Sequence, residues 1–97
     1  MEKLSIFRKE LDELDEQLMD ILARRFAICR EVARYKAAMN IPMMQPGRVA
    51  EVKRRAGERA LSAGLSQQFG IELYDLIVAE ACSMENGIID SARALSS

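Results

Sequence analysis

The chain contains no histidine. That absence removes imidazole acid–base work, Ser-His-Asp and Cys-His nucleophilic machinery, and most zinc sites. An enzyme built from this chain must do chemistry that needs positioning and charge more than proton shuttling. Cysteine is scarce too. Cys29 and Cys82 lie in helical patterns, far from any metal-ligand spacing, and read as buried free thiols rather than a disulfide. No apolar run approaches membrane length, and Met1-Glu2-Lys3-Leu4 offers no apolar signal core, so the expectation is a cytoplasmic protein. No strand alternation, internal repeat or low-complexity segment appears. Excess charge is missing as well. Fourteen Lys and Arg against fifteen Asp and Glu leave −1, so no global field draws nucleic acid or an anionic membrane. Any anion site has to be a local cluster. At 97 residues with 49% hydrophobic and 30% charged content, residues 1–97 form one small folded domain.

What is present is a heptad seam. It runs Leu4, Phe7, Leu11, Leu14, Leu18, Ile21, Arg25, Ile28, Val32, Tyr35, Met39 in steps of three and four. Such spacing places every member on one face of a helix. Ten of the eleven are apolar or aromatic, and the exception is Arg25. A guanidinium in a packed seam is costly to desolvate unless an anion meets it.

Three helices are predicted. The first spans about Ser5 to Met39, capped by Ser5 and stopped at Asn40-Ile41-Pro42, where asparagine tolerates a left-handed turn and proline disfavours helix before it. The second spans about Arg48 to Ala63, with an apolar stripe of Val49, Val52, Ala56 and Ala60. Lys53, Arg54, Arg55, Glu58 and Arg59 are expected to face solvent, Gly57 is a weak point, and Gly64 is a C-terminal cap. The third begins after Ser66, spans about Gln67 to Ala94 or a little less, and buries Phe69, Leu73, Leu76, Ile77, Ala81, Met84 and Ile88. Residues 91–97 are expected to fray. The first helix is roughly 50 Å long, whereas a 100-residue globule has a radius of gyration near 13 Å. Its seam cannot be covered within one compact chain. The expectation is an all-α, intertwined helical homodimer of three-helix protomers, each with one very long N-terminal helix.

The cationic residues suggest a site. Lys36 lies eleven residues after Arg25, on nearly the same face and about 16 Å along the axis. Arg48 opens the second helix, where the helix N-terminus favours anions. Arg8 is some 25 Å before Arg25, and reaches such a pocket only from a second, antiparallel copy. Each has a plain reading. Arg8 and Lys36 on their own are ordinary solvated helix residues, Arg48 an ordinary helix-start residue, and Arg25 a seam arginine paired to a carboxylate of the run Glu10, Asp12, Glu13, Asp15, Glu16.

The ordered set Arg8, Leu11-Asp12-Glu13-Leu14-Asp15, Arg24-Arg25, Val32-Ala33-Arg34-Tyr35-Lys36, Pro42, Arg48-Val49 and Leu73-Tyr74-Asp75-Leu76-Ile77 resembles the all-α chorismate mutase family over nearly the whole chain. The resemblance implies a dimer with two shared sites, no cofactor and no metal. The substrate would be a small enolpyruvyl dicarboxylate, rearranged from chorismate to prephenate in a [3,3] pericyclic shift. Arg25 and Arg8 of a second copy would grip carboxylates. Lys36 would contact a carboxylate and the ether oxygen, and Arg48 would complete the cationic lining. Glu85 falls where the family places a second donor to that oxygen. Gln45, Val49 and Ala81 fall among the substrate contacts. Small mutases of this fold are sometimes activated by a larger partner enzyme.

Three positions depart from the pattern. Glu85 can donate a hydrogen bond only as the neutral acid. Val78, Ala81, Met84, Ile88 and Ile89 around it are apolar, and apolar surroundings favour an uncharged carboxyl. Val49 stands where enteric-type mutases carry a glutamate, and Gln45 where they carry an aspartate, so the contact to ring position C4 is altered. This opens two alternatives. One is rearrangement of 4-amino-4-deoxychorismate, toward aminophenyl antibiotic precursors, whose subgroup the segment Pro42-Met43-Met44-Gln45-Pro46-Gly47-Arg48-Val49 resembles. The other is isochorismate pyruvate lyase activity, against which Glu85 argues. Met43 and Met44 are expected to close over the site. A third, non-catalytic reading is a helical dimerisation module in which Arg25 fixes register.

Overall fold

The computed structural model describes residues 2–42, 45 and 47–96, with side chains described as far as 91. It contains three helices, α1 (Glu2–Ala38), α2 (Arg48–Ser62) and α3 (Gln67–Ser96). Helix α1 begins three residues before the expected Ser5 cap, and Ser5 lies inside it. Glu2, Lys3 and Leu4 are good helix formers, and an acid in the first turn suits the helix dipole. The stop is as expected. Asn40 takes φ 54°, and the Ile41 N–H reaches back to the Lys36 carbonyl at 2.9 Å. Gly64 at φ 79° closes α2 in the same way, the Leu65 N–H donating to Ala60 O at 2.7 Å and the Gly64 N–H to Leu61 O at 3.0 Å. Ser66 caps α3 by accepting the Phe69 N–H at 3.2 Å. Helix α3 runs to Ser96, beyond the expected end. No Gly or Pro follows Gly87 to stop it.

Helix α3 packs against both other helices. The α2–α3 contact is very close. A Cβ added to Gly70 would sit 2.7 Å from the Ala60 Cβ and 2.8 Å from the Ala56 carbonyl oxygen. Gly57 lies over Gln67 and Ile71 in the same contact, so this apparent weak point in α2 is one of the places where the helices approach. Lys53, expected in solvent, instead pairs with Asp75 of α3 at 2.8 Å.

Little else is buried. Among the described residues the buried apolar side chains are Ala33, Ala56, Ala60, Ile77 and Ala81. Phe69, Leu73 and Leu76, expected in the core, are exposed: Phe69 and Leu73 only edge a shallow groove against α2, and Leu76 is 73% exposed. The seam of α1 is uncovered throughout, its apolar members between 40% and 61% exposed. Every described residue from 2 to 21 is exposed. The part of α1 that meets the rest of the chain is a second stripe, Leu22, Arg25, Phe26, Cys29, Ala33, Lys36 and Ala37, rotated from the seam and confined to the C-terminal half. The chain measures 62 × 26 × 14 Å, with a radius of gyration of 17.5 Å. Among the described residues, no helix is long and apolar enough to cross a membrane.

Gly70→Ala should lower stability by about 1–3 kcal/mol, because the new methyl meets helix backbone that cannot step aside. Gly57→Ala should stay within about 1 kcal/mol of wild type, since its neighbours are movable side-chain ends and alanine favours helix. Urea melts of the two variants check this.

Candidate active site

Among the described residues, side chains from all three helices line a cleft of about 340 Å³, a size suited to a small ligand. Arg25, Ile28, Cys29, Val32 and Lys36 come from α1. Gln45 precedes α2, which adds Arg48, Val49 and Val52, and α3 supplies Val78, Ala81, Cys82 and Glu85. Seven of the eight expected site residues therefore converge. The eighth, Arg8, lies exposed on the uncovered half of α1, away from the cleft. Met43 and Met44, expected to close over the site, fall outside the described residues.

The geometry follows from helix periodicity. Arg25, Cys29, Val32 and Lys36 share one face of α1, while Val78, Ala81, Cys82 and Glu85 share one face of α3. Gly47, at φ 85°, turns the chain so that α2 starts with Arg48 at the mouth. Gln45 donates Nε2 to the Pro42 carbonyl at 3.0 Å. A carbonyl only accepts, so the amide is oriented and Oε1 is left as an acceptor. Arg48 contacts Glu51 at 3.3 Å, and Glu51 also holds Arg55 at 3.0 Å.

Arg25 is half-buried and has no carboxylate partner among the described residues. Its guanidinium carbon stands 5.4 Å from the centre of the Tyr74 ring, and Nη1 lies 3.7 Å from the Cys29 sulfur. Glu85 is half-buried and is the single carboxylate among the residues lining the cleft. The cleft is thus an apolar trough carrying three cations and one carboxyl group. It suits a small anion with an apolar ring.

Sequence reading missed several of its parts. Cys29 and Cys82 are free thiols, as expected, but half-buried on the cleft wall rather than buried in a core. Val78 was read only as an apolar neighbour of Glu85, and Tyr74, which stands behind Arg25, was given no role, because α3 was assigned a different buried face. The signal was present in the 4-3-4 spacing of Tyr74, Val78, Ala81 and Glu85.

Residues 7–86 match the chorismate mutase type II family. The chain belongs to that family. It is an isomerase of the chorismate mutase type, built as an all-α protein. A 4-amino-4-deoxychorismate mutase of Streptomyces venezuelae is 45% identical over 84 residues, covering 87% of this chain and 82% of that protein. A second protein of that name, from Streptomyces pristinaespiralis, is 37% identical over 91 residues, 94% of this chain and 70% of its own length. The chorismate mutase of Methanocaldococcus jannaschii is 22% identical over 93 residues, 96% of this chain and 94% of that protein.

Proposed function

We propose that this mutase rearranges 4-amino-4-deoxychorismate to 4-amino-4-deoxyprephenate, as a cytoplasmic homodimer with two shared sites. The observation that carries the choice of substrate is the pair of relatives bearing that name at 45% and 37% identity. Gln45 supports it: with Nε2 turned to Pro42, its Oε1 is an acceptor for an amino group at C4. The second reading is chorismate itself, whose C4 hydroxyl can donate to the same oxygen and which the Methanocaldococcus relative is named for.

The reaction is a concerted [3,3] shift. The ether carbon–oxygen bond breaks as the new carbon–carbon bond forms, and no base, nucleophile or metal takes part. Arg25 and Arg48, with Arg8 of a second copy, hold the two carboxylates so that the side chain folds over the ring in a chair. Charge-assisted, paired N–H contacts fix that geometry and turn a floppy ground state into a near-attack one. As the bond breaks, negative charge grows on the ether oxygen. The Lys36 ammonium meets it, and the Glu85 carboxyl on the facing helix is placed to donate a second hydrogen bond whenever it carries a proton. Both contacts are stronger in the transition state than in the substrate, which is the condition for catalysis.

The second copy is supported by the uncovered seam and by its charge. Residues 2–20 hold seven acidic against three basic side chains, net −4. Residues 21–38 hold one acidic against five basic, net +4. Antiparallel pairing sets acid against base. A two-fold axis between Met19 and Asp20 pairs Leu4 with Tyr35, Phe7 with Val32, Leu11 with Ile28, Leu14 with Arg25, and Leu18 with Ile21. Every seam residue up to Tyr35 then meets another seam residue. The same register brings Arg8 beside Val32 on the cleft wall.

Turnover of 4-amino-4-deoxychorismate, chorismate and isochorismate should be compared side by side. The expected result is preference for the first, with Arg25→Ala and Lys36→Ala each reducing kcat/KM on the order of 10²–10³-fold. Preference for chorismate would move the assignment to the second reading, and pyruvate release from isochorismate alone would make the chain a lyase. Glu85→Ala should lower kcat/KM on the order of 10²-fold while Glu85→Gln, which keeps a donor at that position, retains activity; an unimpaired alanine variant would remove the donor role. Light scattering should give twice the 10.9 kDa chain mass. Inactive Arg8→Ala and Arg25→Ala chains, unfolded and refolded together, should recover activity from about a quarter of the sites, because half the dimers then hold one intact site. No recovery would mean that each site is built from one chain.

A further inference from the structure

Arg25 raises a question that the mechanism leaves open. A guanidinium meant for substrate has to be held in place without being neutralised beforehand. A resident carboxylate would orient it, but would also compete with the incoming one. Among the described residues no carboxylate pairs with Arg25. It is held by the face of Tyr74, 5.4 Å from ring centre to guanidinium carbon, and by the Cys29 sulfur, 3.7 Å from Nη1.

We propose that Tyr74 is a positioning residue: its ring face orients the Arg25 guanidinium for the substrate carboxylate while leaving the positive charge unpaired. The distance lies within the range in which a ring quadrupole attracts a cation. The ring lies under the guanidinium carbon, whereas hydrogen bonds leave through the N–H groups around it. Of the five N–H groups, one points to Cys29, a weak acceptor, so the others can form a paired contact to an anion. Tyr74 lies in α3, which packs along the C-terminal half of α1 and carries Glu85 into the same cleft. The orienting ring and the second donor therefore ride on one rigid element. The inference rests on the reading of Arg25 as a carboxylate clamp.

Two measurements test it. The first needs no substrate. In ligand-free protein the Arg25 guanidinium hydrogens should resonate upfield under the Tyr74 ring current, and the shift should vanish in Tyr74→Leu and persist in Tyr74→Phe. Absence of the shift in wild type overturns the proposal, whatever the reaction is. The second follows kcat, KM and calorimetric affinity for a bicyclic dicarboxylate that mimics the chair transition state. Tyr74→Leu should lower kcat/KM and that affinity by roughly 3- to 30-fold, and Tyr74→Phe should restore both. Phenylalanines of increasing ring fluorination at position 74 keep the shape and weaken the quadrupole, so activity should fall stepwise even where the leucine variant folds poorly. A flat fluorination series, or a phenylalanine variant as impaired as leucine, would overturn the role of the ring face. A wild-type protein that shows the upfield shift but neither turns over nor binds these dicarboxylates would overturn the clamp, and the positioning role with it.

Discussion

A 37-residue helix cannot be covered by the 59 residues that follow it, and the rest of the structure answers to that constraint. Helices α2 and α3 reach only the C-terminal half of α1, and they reach it on a stripe rotated from the main apolar seam. The seam stays open from Leu4 to Met39. What the chain buries by itself is mostly alanine, with Ile77 the one large side chain among the buried apolar residues described. So little buried apolar area offers small return against the entropy of ordering the chain. The proposed second copy would add burial along this open seam, and the opposite charges on the two halves of α1 suit antiparallel pairing.

The same partial coverage makes the cleft. Because α3 lies against α1 while α2 stands off it, a trough remains between α1 and α2, floored by α3. Its floor and much of its walls are apolar, and Arg25, Lys36 and Arg48 lie around it. Apolar walls lower the local dielectric response, so each cation acts more strongly on an anion there than it would on the open surface. A chain of net charge −1 thereby holds a strongly positive site. The reaction of the family suits such a place, because it asks for a fixed field and a folded substrate and for no proton carrier.

Much of this was legible in the sequence, for identifiable reasons. Helix ends at Asn40 and Gly64 follow from backbone conformations that few residues adopt, and the Ser66 cap from a hydroxyl that satisfies a free N–H. Arg25, Lys36 and Arg48 stood out by their own positions, Gln45, Val49, Ala81 and Glu85 followed from the family resemblance, and all seven line one cleft. Failures came where the partner of a face had to be guessed. Phe69, Leu73 and Leu76 were read as core because they are apolar, yet all three stay exposed, Phe69 and Leu73 at the edge of a groove against α2. Lys53 was read as solvated because it is charged, and α3 supplied Asp75. Gly57 was read as a defect in α2, and it marks a close helix approach.

The sequence by itself determined three helices, the turns between them, the long seam, the family and the set of cations on offer. These depend on local conformation and on periodicity, which one strand of chain carries alone. Tertiary structure decided which face of each helix was used. It turned Gly70 into a contact point against Ala56 and Ala60, brought both thiols to the cleft wall, and set the Tyr74 ring over Arg25. Those outcomes depend on the rotation and spacing of α3 against its neighbours. Contacts between residues from about ten to about fifty positions apart fix that placement, and no local pattern encodes it.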